Sequence, residues 1–127
     1  MDGGDRRLGK KILVVDDEED IRKVVKLLLV CNGFEVETAQ NLEECLDKLM
    51  RKKPDLILLD ILMRKVVGLS ALRSIRRSYP QAKIIIFSVI GSEHFKRTCK
   101  ELGVVDYITK PFDNEDLVRR VKEAVGD

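Results

Sequence analysis

The stretch Asp55-Leu56-Ile57-Leu58-Leu59-Asp60 restricts the possible folds of this chain more than any other. Four consecutive apolar residues follow Pro54-Asp55 and end at a carboxylate. A run that short, and apolar on both faces, suits a central strand of a parallel sheet covered on both sides. An aspartate buried unpaired inside such a strand would cost several kcal/mol. At the strand's C-terminal end, Asp60 can instead meet solvent, a cation or a substrate.

The rest of the chain repeats the pattern. Met1 to Lys10 is polar, contains glycine and lacks periodicity, so it reads as a loose tail before a single domain over residues 11–127. Ile12 to Val15 is a second apolar run, again ending in carboxylates, Asp16 and Asp17. From Glu18 to Cys31 the period changes. Ile21, Val24, Val25 and Leu28 fit the i, i+3, i+4, i+7 template of a helix with those four residues inward. Asn32-Gly33 ends it, because both residues take the left-handed conformation readily. Phe34, Val36 and Thr38 alternate with Glu35 and Glu37 as a strand would. Asn41, with Glu44 three residues on, resembles a capping box opening a helix that buries Leu42, Cys45, Leu46 and Leu49.

After Asp60 a loop is expected through Met63-Arg64-Lys65 to Gly68, then a helix marked by Leu69, Leu72 and Ile75. Lys83 to Ser88 is a fourth strand, and a helix from about Ser92 carries Phe95, Cys99 and Leu102 to Gly103. Val104 to Thr109 is the fifth strand. Lys110-Pro111 turns into a last helix, Asn114 to Val125, with Leu117, Val118, Val121 and Val125 inward. Five strands alternating with five helices define a doubly wound α/β domain with a parallel sheet.

A chain of 127 residues supports one core. Its 24 basic and 22 acidic residues leave a net charge of +2, too balanced to imply nucleic-acid binding. No apolar run approaches a membrane span and no signal peptide opens the chain, so the cytoplasm is the expected location. Cys31, Cys45 and Cys99 lie singly in predicted helices and read as reduced core or near-core residues. His94 and the arginines Arg73, Arg76, Arg77, Arg119 and Arg120 read as solvated helix faces.

In doubly wound sheets ligands bind beyond the carboxyl ends of the strands. Those ends carry Asp16, Asp17, Asp60 and Ser88, with Lys110 just past the fifth. Carboxylates crowded together repel, and Mg2+ relieves this, held by carboxylates, waters and phosphate oxygens. The ammonium of Lys110 and the hydroxyl of Ser88 would face an anion attached at Asp60. The set describes a site for a phosphoryl group on an aspartate.

On these residues the chain resembles the receiver domain of two-component response regulators, from about Lys10 to Val125. The matching pieces are Ile12 to Asp17, Asp55 to Asp60, Gly68, Ser88 and Asp106-Tyr107-Ile108-Thr109-Lys110-Pro111-Phe112. The resemblance implies a flavodoxin-like fold with strand order 2-1-3-4-5. It makes Asp60 the phosphoacceptor, attacking a phosphohistidine on a sensor histidine kinase or phosphotransfer protein. It assigns Mg2+ to Asp16, Asp17, Asp60 and the backbone carbonyl of Leu62. It places Lys110 and Ser88 on the phosphoryl oxygens. Tyr107 would follow Ser88 inward and alter a protein-binding surface on the fourth helix, fifth strand and fifth helix. Lys110-Pro111 is expected to be cis.

The implied protein is a monomer or weak dimer that binds neither nucleic acid nor membrane and is not an enzyme. With no module after the fifth helix, its output is expected to be protein binding or onward phosphotransfer.

The sequence departs from the family pattern in places. Arg64 stands where proline is usual, and Lys65 adds a second cation. Val89 replaces a small residue, which puts access to Asp60 and the size of the switch in question. Leu62 and Ile90, each two residues past a site residue, cannot orient an attacking water, so a long-lived acyl phosphate is expected. The alternative is a receiver-like interaction module that works without phosphorylation. A phosphohydrolase with an aspartyl nucleophile would need a second acid that Asp60-Ile61-Leu62 lacks.

Overall fold

The apolar runs become strands and the amphipathic stretches become the helices that cover them. The computed structural model describes residues 9–63, 66, 67 and 69–126. In chain order the elements are β1 (Lys11–Val15), α1 (Glu19–Cys31), β2 (Glu35–Ala39), α2 (Leu42–Arg51) and β3 (Leu56–Leu59). Next come β4 (Leu62–Met63), β5 (Val66–Val67), α3 (Leu69–Ser78) and β6 (Ile84–Ser88). The chain closes with α4 (Glu93–Glu101), β7 (Asp106–Thr109) and α5 (Asn114–Val125). Arg64, Lys65 and Gly68, on which sequence expectations were placed, lie outside the described residues.

The main sheet is parallel, in the order β2-β1-β3-β6-β7, which is 2-1-3-4-5 counted over its five strands. It has the flavodoxin-like architecture that the resemblance implied. The short pair β4 and β5 forms a separate antiparallel hairpin, Leu62 opposite Val67 and Met63 opposite Val66, where only a loop was expected.

Alternation along the strands sorts the core into two layers. Leu13, Val15, Ile57, Leu59, Ile84 and Ile86 pack with side chains of α2, α3 and α4. Ile12, Val14, Leu56, Leu58, Ile85 and Phe87 face the other way, onto α1 and α5. All four residues of β3 are fully buried, as a central strand requires. Gly9 and Lys10 are already tied to the second strand's start, through Gly9 N–H on the Gly33 carbonyl (2.9 Å) and Glu35 N–H on that of Lys10 (2.9 Å). Asn41 caps α2 by accepting from Glu44 N–H at 2.8 Å, while Glu44 reaches back to Gln40 N–H at 3.4 Å. Among the described residues no helix is long and apolar enough to cross a membrane.

Several expectations need correction. On α1, Val24 is 47% exposed, and the buried positions are Val25 and Leu29. The run Leu27-Leu28-Leu29-Val30 offers apolar side chains all round the helix, so periodicity does not fix which face turns inward. Cys31 follows Val24 and is exposed, whereas Cys45 and Cys99 are buried. Arg76 and Arg120 are not simple solvated arginines. Arg120 is half-buried and donates to Asp106 (2.9 Å) and to the Tyr107 carbonyl (3.1 Å).

These assignments predict a contrast on α1. Leu29→Ala removes a fully buried side chain and lowers unfolding stability by about 3 kcal/mol. Leu27→Ala, at a 66% exposed position, changes it by less than about 0.5 kcal/mol. Urea titration of the two variants beside the parent measures both.

Candidate functional site

Strands β1, β3 and β6 are neighbours, and their carboxyl ends bring Asp16, Asp60 and Ser88 together. Asp16 N–H donates to the Ala39 carbonyl (3.1 Å) and Asp60 N–H to that of Val15 (2.9 Å), which extends the parallel ladder to both acids. Lys110 N–H donates to the Ser88 carbonyl at 2.8 Å, anchoring the turn after β7, where the Lys110-Pro111 peptide is cis as expected.

From that turn the lysine side chain reaches back toward the centre of the sheet. Its ammonium passes 4.7 Å from the centre of the Phe87 ring and donates to Asp16 Oδ2 at 2.6 Å and Asp60 Oδ2 at 3.0 Å. Both acids are shielded, Asp16 fully buried and Asp60 4% exposed. Their second oxygens are also occupied. Asp16 Oδ1 accepts from Glu18 N–H and Asp60 Oδ1 from Leu62 N–H, each at 2.9 Å.

The electrostatics follow from burial. Desolvation raises the Asp60 carboxyl above its ordinary value, against the opposing pull of the Leu62 amide and the Lys110 charge. Desolvation works against the Lys110 ammonium too, but Asp16 and Asp60 outweigh it and hold its pKa up.

Asp16 also belongs to a group of carboxylates that could hold a cation. One carboxylate oxygen each from Asp16, Asp17 and Glu18 lies within 4.8 Å of the other two, running from buried Asp16 to exposed Glu18. An all-oxygen donor set fits a hard dication such as Mg2+. Asp60 is outside this cluster, joined to Asp16 through Lys110. In the sequence reading Glu18 only opens the stretch of the first helix. The structure makes it the N-cap residue without a side-chain cap bond, which leaves its carboxylate beside Asp17.

Ser88 connects to Tyr107 by a route that no sequence pattern shows. Its Oγ accepts from Ile90 N–H at 3.3 Å, and the Ile90 carbonyl accepts the Tyr107 hydroxyl at 2.5 Å. Burial pushes the Tyr107 phenol up to about 12, with Cys99 and Asp60 adding to the effect and Ser88 opposing it. Lys96 of α4 lies 5.7 Å from the ring centre. Val89 and Leu62, next along the chain from Ser88 and two past Asp60, are 59% and 41% exposed.

Residues 12–122 match the family model of the response regulator receiver domain, and the chain belongs to this family, the receivers of two-component systems. It is 39% identical over 115 residues to the alkaline phosphatase synthesis transcriptional regulatory protein PhoP of Bacillus subtilis, covering 91% of this chain and 48% of that protein. To the transcriptional regulatory protein CpxR of Escherichia coli it is 38% identical over 112 residues, covering 88% of this chain and 47% of that one. The chain thus spans about half the length of the curated relatives it matches.

Among solved structures, the chemotaxis protein CheY4 of Vibrio cholerae superposes with a TM-score of 0.84 at 30% identity, over 91% of this chain and 98% of that one. A CheY-like receiver from Methanospirillum hungatei gives 0.85 at 31% identity, over 92% and 94%. Receivers of this family bind Mg2+ at an acidic pocket and interact with histidine kinases or phosphotransfer proteins.

The Lys110 bridge yields opposite predictions for its two ends. Lys110→Met leaves two buried carboxylates unpaired and destabilises the protein by about 3 kcal/mol. Asp60→Asn keeps an acceptor for Leu62, removes a buried charge that desolvation disfavours, and stabilises the protein at pH 7 without Mg2+. The sign follows from the raised Asp60 pKa: relative stability is full below the unfolded value of about 3.9 and is lost as pH rises through the folded value. The parent and Asp60→Asn curves therefore converge near pH 3, about one unit below that unfolded pKa. Urea midpoints across this range test both variants.

Proposed function

We propose that this receiver is a phosphorylation-controlled switch in which Asp60 is the phosphoacceptor. The observation that carries the reading is a carboxylate held at the end of the central strand, 4% exposed, with the Lys110 ammonium 3.0 Å away. An Asp60 oxygen attacks the phosphorus of a phosphohistidine on a sensor histidine kinase or phosphotransfer protein. The O–P bond forms as the N–P bond breaks, and the imidazole leaves and takes up a proton.

Lys110, already oriented by two carboxylates, turns its charge to the phosphoryl oxygens, and Ser88 offers its hydroxyl to them. Asp16 and Asp17, with Asp60 and the Leu62 carbonyl, would hold Mg2+, which would supply neutralisation of charge on the transferred group. Glu18 is a further candidate on the exposed side. Ser88 and Tyr107 then carry the change to the face formed by α4, β7 and α5, where a downstream protein binds. The receiver extends over residues 11–127 and acts in the cytoplasm as a monomer or weak dimer. It assists its own phosphorylation and dephosphorylation, turns over no metabolite, and binds neither nucleic acid nor membrane directly.

Incubation with acetyl phosphate, followed by intact mass, tests the acceptor. A single phosphoryl adduct is expected that needs both Mg2+ and Asp60, and Asp60→Asn should show none. No adduct from either acetyl phosphate or phosphoramidate would favour a module that binds its partner without phosphorylation. Leu62 and Ile90 supply no group to orient water against the acyl phosphate. The purified adduct should therefore decay over hours, and loss within a few minutes would contradict that assignment.

A further inference from the structure

The helix α4 is held to the molecule unevenly. It buries only Cys99 completely, whereas α3 buries Ala71, Leu72 and Ile75, and α5 buries Leu117, Val121 and Val125. Its first turn hangs from the loop that carries Ser88 and Ile90, capped by Ser92 Oγ accepting from Phe95 N–H at 3.3 Å. Its last turn ends in a Schellman motif, with Gly103 N–H on the Lys100 carbonyl (2.9 Å) and Val104 N–H on that of Cys99 (3.4 Å).

Beyond this motif stands one arginine from another helix. Arg76 of α3 donates through Nη2 to the Gly103 carbonyl at 2.6 Å and through Nε to that of Leu102 at 3.4 Å. Its Nη1 donates to Ala82 (2.5 Å) and Pro80 (3.2 Å), the carbonyls of the turn leading into β6. A planar guanidinium can serve four carbonyls on two segments at once, and an ammonium cannot reproduce that fork. It also places positive charge at the negative end of α4. The approach is close: a Cβ built on Gly103, whose φ is +86°, would meet Arg76 Nη2 at 3.2 Å.

We propose that Arg76 is a positioning residue for α4, a pin that fixes the helix's C-terminal end to α3 and the start of β6. Displacement of α4 is then confined to its Ser92 end, beside Ser88 and Tyr107. The α3 helix buries three side chains, so the pin sits on a firm element and the moving end on a weak one. The inference concerns the mechanics of α4 in the unphosphorylated protein and stands apart from the role of Asp60.

Amide hydrogen exchange by NMR on the full chain without phosphate tests it. In the parent, Leu102, Gly103 and Val104 should exchange at least tenfold more slowly than Lys96 and Arg97. In Arg76→Gln those three should accelerate at least tenfold, with the β3 amides unchanged. Arg76→Lys, which keeps the charge and loses the fork, should recover only part of the protection, and it carries the test if the Gln variant does not fold. A uniform acceleration that includes β3 would make Arg76 a general stabiliser and overturn the proposal. Unchanged exchange at Leu102 to Val104 would overturn it too. Phosphoryl uptake plays no part in the readout, so failure here is distinct from failure of the acceptor assignment.

Discussion

Two buried carboxylates share one lysine, and much of the architecture serves to make that arrangement tolerable. Asp16 and Asp60 end adjacent strands, while Lys110 comes from beyond β7, with β6 lying between. The lysine stem must therefore cross β6, where the Phe87 ring gives its ammonium a favourable surface 4.7 Å below. The bridge requires the strand order, because only a sheet with β1, β3, β6 and β7 side by side lets one side chain span the gap. The three groups still sum to one negative charge. Asp17 and Glu18 add to it on the solvent side, which makes the pocket attractive to a cation and costly without one.

That cost is local, and the core offsets it. Leu56 to Leu59, buried on both faces, contribute about 1.5–3 kcal/mol each by the transfer estimate, more than enough to hold Asp60 where its charge is disfavoured. A carboxyl kept above its ordinary pKa and a lysine kept charged are in tension that a new anion at Asp60 would rearrange. The site's poise is a consequence of burial, and burial is a consequence of the strand.

The same logic explains what could be read from the chain before its structure. The runs ending in Asp16, Asp60 and Ser88 are legible because a central parallel strand demands continuous apolar residues, and a polar residue at its end has few reasons to be there. Lys110 is legible through its place after the fifth run. Val24 and Cys31 were misplaced because α1 is apolar on nearly every side around Leu27 to Val30, so its inward face is set by tertiary packing. Arg76 and Ile90 were missed for a different reason. Their roles lie in backbone carbonyls, and those of Arg76 reach Leu102 and Gly103, far along the chain, so no pattern of side-chain types records them. Glu18 stands at the start of the first helix, where a carboxylate is favourable without any ligand, so its type and place do not mark it.

Between the buried acids and the surface there is a short chain of contacts. Ser88 Oγ takes the Ile90 amide, the Ile90 carbonyl takes the Tyr107 hydroxyl, and Lys96 of α4 stands over the Tyr107 ring. Each link is a single hydrogen bond or ring contact, worth on the order of 1 kcal/mol. Coupling between sites in proteins is typically about 1–3 kcal/mol, so a strongly packed helix at the end of this path would not respond. The helix actually there buries one side chain completely. In the proposed switch, weak attachment of α4 at its Ser92 end would let interactions of this size move it. Attachment at Gly103 through Arg76 would give that movement a direction.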